Sequence, residues 1–247
     1  MTSRPLIIGN WKMHGLRQSR TVIAEMGAAL DGAPVRPIIC PPATLIAAFA
    51  SAVAGGSLQI GAQDCHAAAQ GAHTGDLSAE MLADAGAVAV ILGHSERRLD
   101  HNETDAVISE KLKAARRAGL EPILCVGETA AARENGGAET TVRSQLKGAL
   151  ASLAAGPLVV AYEPVWAIGS GMTPTPHEIA AMHAVIAAEL SELGHGPTAI
   201  IYGGSVKPDN ATEIFAADGV DGALVGGASL AADPFLAITR AAIAAAR

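Results

Sequence analysis

Aromatic residues are scarce in this sequence, at 3% of 247 residues. A core of stacked rings is therefore excluded. The 50% hydrophobic composition must pack through Ala, Val, Ile and Leu, which suits helices laid closely on a sheet. Cysteine is scarce too. Cys40, Cys65 and Cys125 are odd in number and lack CxxC spacing, which argues against a disulfide framework or metal cluster and for a reducing compartment. Positive charge is in deficit: 17 Lys and Arg face 24 Asp and Glu, a net −7. A general binder of nucleic acid is excluded on that balance, although a local basic site for a small anion is not. No apolar run approaches the length of a membrane span, and "MTSRPLIIGNWKM" lacks the apolar region of a signal peptide. The expectation is a soluble cytoplasmic protein with no membrane partner.

Short apolar runs recur along the chain: 5–10, 35–40, 57–62, 87–93, 121–127, 157–162, 198–204 and 222–227. Each is continuous in apolarity and often β-branched, the pattern of parallel strands buried on both faces. Alanine-rich amphipathic segments lie between them, such as 103–119 and 176–194, with Gly119 and Gly194 where a helix would stop. Eight such pairs in about 250 residues predict an α/β protein, a single (β/α)8 barrel over 1–247. A doubly wound sheet is the rival. It usually carries a GxGxxG turn after its first strand, and here "GNWKMHG" stands instead. No linker or low-complexity segment divides the chain.

Barrels of this kind carry their chemistry at the C-terminal ends of the strands. The polar residues fall there: Asn10 and Lys12 after the first strand, His94, Glu96, Arg97 and Arg98 after the fourth, Glu163 after the sixth. Two Gly-Gly turns, "YGGSV" and "VGGAS", follow the seventh and eighth. Glycine lets the backbone approach a ligand, and such turns offer N–H groups to an anion. After Glu163 comes "PVWAIGSG", with large apolar residues between a proline and glycines.

These stretches resemble the triosephosphate isomerase family. The matching segments are "GNWKM", "GAQD", "TGDLSAEML", "ILGHSERR", "CVGE", "AYEPVWAIGSG", "YGGSV" and "DGALVGGASL", in order along the chain. The resemblance implies interconversion of dihydroxyacetone phosphate and D-glyceraldehyde 3-phosphate through an enediolate, without cofactor or metal. It implies Glu163 as base, His94 as neutral electrophile, Lys12 and Asn10 as charge and hydrogen bond at the substrate oxygens, and Glu96 in support. A free glutamate is a weak base, with a pKa of about 4.3. The resemblance accordingly makes Pro164, Val165, Trp166, Ala167, Ile168, Gly169, Ser170 and Gly171 a lid that excludes water. Both roles have been described for that family as general examples of pKa tuning and loop closure.

The resemblance also implies phosphate binding by the backbone of Gly169, Ser205, Gly226 and Gly227. It implies an ion pair between Arg98 and Glu128, and a packing role for Cys125. Segment 63–76 resembles the family's dimer loop, with Thr74 reaching a partner copy. Departures are His14 and His73, where relatives often carry Asn and an aromatic residue, and Ser170 and Met172, where they often carry Thr and Lys. An isomerase of a four-carbon ketose phosphate could use the same groups. An inactive phosphate-binding scaffold would be expected to lack Lys12, His94 or Glu163, and all three are present.

Overall fold

The computed structural model describes residues 4–168 and 172–246. Eight strands form: β1 Leu6–Asn10, β2 Arg36–Cys40, β3 Gln59–Ile60, β4 Ala89–Leu92, β5 Glu121–Val126, β6 Val159–Tyr162, β7 Ala199–Tyr202 and β8 Gly222–Val225. All ladders are parallel, in the order β3-β2-β1-β8-β7-β6-β5-β4. The two ends of that order meet. Val88 N donates to Ile60 O at 2.8 Å, Ala62 N to Ala89 O at 2.8 Å, and Ile91 N to Ala62 O at 2.9 Å. The sheet is thus closed into a (β/α)8 barrel.

The third apolar run, 57–62, yields the shortest strand, flanked on both sides. Gln59 and Ile60 pair with β2, and Gly61 N donates to Ile39 O at 2.8 Å. On the other side Ile60 O accepts from Val88 N, and Ala62 pairs with Val90 of β4. Gly61 packs tightly against β2, where a Cβ would lie 2.6 Å from Cys40 Sγ.

Although each strand reads as one apolar run, its side chains alternate. Leu6, Ile8, Ile38, Ile91, Ile123, Ala161, Ile201 and Leu224 fill the barrel interior. Ile7, Ile39, Val90, Leu124, Val160 and Ile200 face the helices. Both sets are buried, so the polarity pattern carries no period of two even though the pleat does. Burying each such side chain contributes about 1.5–3 kcal/mol.

The helices among the described residues are α1 Arg20–Leu30, α2 Ile46–Ala52, α3 Ala79–Asp84, α4 Ser95–Asp100, α5 Asp105–Arg117, α6 Ala130–Glu134, α7 Ala138–Leu150, α8 Pro176–Glu192, α9 Ala211–Phe215 and α10 Ala232–Ala245. They outnumber the eight expected because short helices, α4 and α6, precede the covering ones after β4 and β5. Segment 103–119 gives α5, capped by Thr104, whose Oγ1 accepts from Val107 N at 3.3 Å. Gly119 and Gly194 take φ of +76° and +77° just past α5 and α8, as their places in the sequence predict. Among the described residues, no helix is long and apolar enough to cross a membrane.

Candidate active site

Asn10, Lys12, His94 and Glu163 stand on one rim, at the C-terminal ends of β1, β4 and β6. With Gly203, Ser205, Lys207, Gly226 and Gly227 they line a cavity of about 280 Å³.

Glu163 follows β6 directly, and its backbone N donates to Val126 O at 2.8 Å. Its side chain is 2% exposed. Oε2 accepts from Ser95 N at 2.9 Å, and Oε1 accepts from Ser95 Oγ at 3.3 Å and from His94 Nε2 at 2.9 Å. The carboxylate is therefore held at the first turn of α4. Gly127 makes room for the Glu163 backbone, since a Cβ there would lie 1.7 Å from Glu163 O. Gly127→Ala should displace the Glu163 backbone and lower kcat by about 100-fold or more, given the steep cost of misplacing a catalytic group by about 1 Å. Steady-state kinetics on the folded variant would check this, and near-parent turnover would contradict it.

His94 is the N-cap residue of α4. Its Nδ1 accepts from Glu96 N at 3.2 Å, leaving the ring proton of the neutral form on Nε2, towards the cavity. Burial pushes the imidazole pKa down. The Glu163 carboxylate, with Glu96, outweighs that effect in this arrangement, so the pKa lies above the ordinary histidine value.

Lys12 adopts φ of +51°, unusual for a non-glycine residue. Three contacts explain why the conformation holds. Lys12 N donates to Asn10 Oδ1 at 3.0 Å, and Gln63 Nε2 donates to Lys12 O and Cys40 O, each at 2.9 Å. Trp11 Nε1 donates to Ser229 O at 2.9 Å, tying this turn to the one after β8. Lys12 Nζ meets Glu96 Oε1 at 2.5 Å. Glu96 itself lies beside the cavity, in an adjoining cleft.

A carboxylate, an imidazole N–H, an ammonium and glycine turns thus face one small cavity. A sequence model of the triosephosphate isomerase family matches residues 5–242. The chain belongs to the triosephosphate isomerase family. It is an aldose–ketose isomerase of glycolysis, interconverting dihydroxyacetone phosphate and D-glyceraldehyde 3-phosphate. It is 57% identical over 243 residues to the triosephosphate isomerase of Xanthobacter flavus, covering 96% of this chain and 97% of that one. To that of Caulobacter vibrioides it is 55% identical over 246 residues, covering 97% of both. The crystal structure of triosephosphate isomerase from Bartonella henselae superposes with a TM-score of 0.90 at 40% identity, covering 96% of this chain and 98% of that one.

The segment corresponding to the family's lid is described from Pro164 to Ile168. Gly169, Ser170 and Gly171 lie outside the described residues. Val165–Ala167 forms a 3-10 turn. Trp166 Nε1 donates to Glu128 Oε1 at 2.7 Å, and the Arg133 guanidinium lies 4.1 Å from the Trp166 ring centroid. Ala167 is buried and Ile168 lines the cavity. On the far side, the Thr175–Glu178 capping box starts α8: Thr175 N donates to Glu178 Oε2 at 2.7 Å, and Glu178 N to Thr175 Oγ1 at 3.3 Å.

The expected Arg98–Glu128 ion pair is not formed. Arg98 Nη1 meets Asp105 Oδ1 at 2.6 Å, and its Nε and Nη2 donate to Gly93 O at 2.8 Å and Cys125 O at 3.3 Å. Glu128, fully buried, accepts instead from Tyr162 Oη at 3.1 Å and from Trp166. Its nearest cation is Arg133, at 3.9 Å. Cys125 is buried in the barrel interior, and burial pushes its thiol far up, which fits packing and not nucleophilic attack.

Thr74 lies on an exposed turn and does not line the cavity. Near it, His66, His73 and Asp76 bring ligand atoms within 4.8 Å of one another. The arrangement does not suit an ion. His66 Nδ1 accepts from Ala68 N at 3.0 Å, which puts the proton of the neutral ring on Nε2. The two imidazoles stack at 4.0 Å instead of converging their lone pairs.

Sequence reasoning left three side chains unassigned. Gln63 closes the Lys12 turn, Ser95 donates to the Glu163 carboxylate, and Lys207 lines the cavity. The first two sit inside matched segments, Ser95 directly between His94 and Glu96.

Proposed function

We propose that Glu163 is the base of the isomerisation and that His94, Lys12 and Asn10 stabilise the enediolate. Glu163 takes a proton from the carbon beside the substrate carbonyl and returns it to the neighbouring carbon. His94 Nε2–H donates to the carbonyl oxygen as negative charge develops there, and Lys12 adds fixed positive charge. Glu96 orients Lys12. Backbone N–H groups of Gly169, Ser205, Gly226 and Gly227 hold the phosphate, and the lid excludes water over the carboxylate. The observation that carries this reading is the 2.9 Å approach of Glu163 Oε1 to His94 Nε2, in the cavity that Lys12 and the glycine turns also line. Neither acid nor imidazole needs a cofactor for this chemistry.

The test is a coupled assay on D-glyceraldehyde 3-phosphate, with erythrulose phosphate in parallel. The expected specificity constant on the triose approaches about 10⁸ M⁻¹s⁻¹, with little turnover of the tetrose. The reverse ranking would keep the mechanism and move the substrate.

The assembly proposed is a homodimer in which loop 63–76 carries Thr74 to the partner's first loop. Support comes from apolar residues left in water: Met13 is 95% exposed, Leu16 68% and Met81 54%. Such a surface suits a covered face better than a free one. Sedimentation should give twice the 24.8 kDa chain mass. Thr74→Arg should shift the population to monomer, and a parent sedimenting as a monomer would refute the assembly.

A further inference from the structure

The substrate carries a phosphate dianion, whereas the chain carries −7. Entry therefore depends on local charge at the mouth. Lys12 contributes little net attraction at long range, because Glu96 Oε1 lies 2.5 Å from its ammonium. Glu163 adds a further negative charge inside the cavity. One other cation lines that cavity, Lys207. Among the described residues its ammonium has no carboxylate within 4.0 Å. Carboxylates outnumber cations around the mouth: Glu163 lines the cavity, Asp64, Glu96 and Asp100 share the cleft beside it with Lys12 and Arg97, and Asp209 shares with Lys207 the cleft on the other side. Lys207 therefore offsets a negative field on the side where an incoming dianion would bind.

Its position is fixed as well as its charge. Lys207 N donates to Asn210 Oδ1 at 2.8 Å, Asn210 Nδ2 donates to Ser205 O at 3.0 Å, and Ala211 N donates to Lys207 O at 3.0 Å. This turn holds Lys207 two residues beyond Ser205, on the side of the cavity assigned to the phosphate. Lys207 also lines an adjoining cleft with Thr173, at the far foot of the lid segment. It thus borders the route between bulk water and the glycine turns.

We propose that Lys207 draws the substrate dianion into the mouth and supplies the electrostatic part of its capture rate. The inference rests on the assignment of this cavity as the triose phosphate site. Capture limits kcat/KM for an enzyme working near the diffusional ceiling, and a single cation near a dianion acts on that encounter in a salt-dependent way.

The experiment measures kcat/KM on D-glyceraldehyde 3-phosphate against ionic strength. Lys207→Met should lower kcat/KM about three- to tenfold at about 10 mM salt, where the Debye length is about 30 Å, and converge on the parent at about 0.5 M. kcat should change far less than kcat/KM. Lys207→Arg should restore the low-salt value. Lys113→Met, which removes one positive charge from the outer face of α5, should keep the parent salt slope. A loss that persists unchanged at high salt would overturn the inference and mark Lys207 as structural. So would no loss at low salt, or an equal loss in Lys113→Met. Failure of the underlying site reading is distinguishable: it would show as near-normal turnover when Glu163 is shortened, whatever the salt.

Discussion

Shortening Glu163 to aspartate should lower kcat by about 10²–10³ while leaving KM within a few-fold of the parent. The variant keeps the charge and chemical type of the base and withdraws its oxygens by about one methylene. Its resting partners make the shortening specific. Ser95 N, Ser95 Oγ and His94 Nε2 all reach the present carboxylate within 3.3 Å. An aspartate carboxylate would reach neither those donors nor the substrate carbon equally well. The proposed phosphate contacts come from the turns after other strands, through Ser205, Gly226 and Gly227, so binding should survive. Inhibition by inorganic phosphate measures that binding directly and should stay near the parent value. A variant with near-parent kcat would refute Glu163 as the base. One with lost phosphate inhibition would show that shortening had disturbed the whole cavity.

The barrel was legible in the sequence because all eight apolar runs are short, buried on both faces and separated by helical spacing. Ile8 and Ile7 are both fully buried, one facing the interior and one the helices, so both had to be apolar. The close approach of Cys40 to Gly61 was not legible. It depends on which side chain lies against that backbone, a fact of tertiary geometry. Polar residues at strand ends were legible for the same topological reason that they work: the rim is where side chains meet a ligand.

Partnerships between them were less so. Arg98 was expected to face Glu128, yet α4 ends at Asp100 and the chain turns back to place Asp105 against the guanidinium. Meanwhile Tyr162 and Trp166 engage the Glu128 carboxylate. Neither choice follows from spacing, since each depends on how a loop packs. The positive φ of Lys12 had no sequence signal of its own, because it is enforced by Asn10 and by Gln63 from the segment after β3.

Replacing His94 with glutamine should lower kcat/KM by about 10²–10³, the usual scale for losing one donor to a developing oxyanion. Glutamine retains an N–H donor, but its amide is flexible and lacks the ring's two opposed nitrogens. In the parent, Nδ1 accepts from Glu96 N while Nε2–H faces the cavity, so one contact aims the other. The variant loses that aim. It also weakens the cap of α4, which costs about 1 kcal/mol of stability, and a small fall in Tm should accompany the kinetic loss. The two effects separate by pH. The parent ring has a raised pKa while Glu163 rests beside it. Imidazolium is therefore favoured as pH falls and neutral imidazole as pH rises. If the neutral ring is the working donor, parent kcat/KM should rise as pH increases through the His94 pKa of the free enzyme, which lies above the ordinary value of about 6.5, and level off on the alkaline side. Loss of parent activity as pH rises through that pKa would make imidazolium the active species and would overturn the neutral assignment. Unchanged kcat/KM in the glutamine variant would remove His94 from the chemistry altogether.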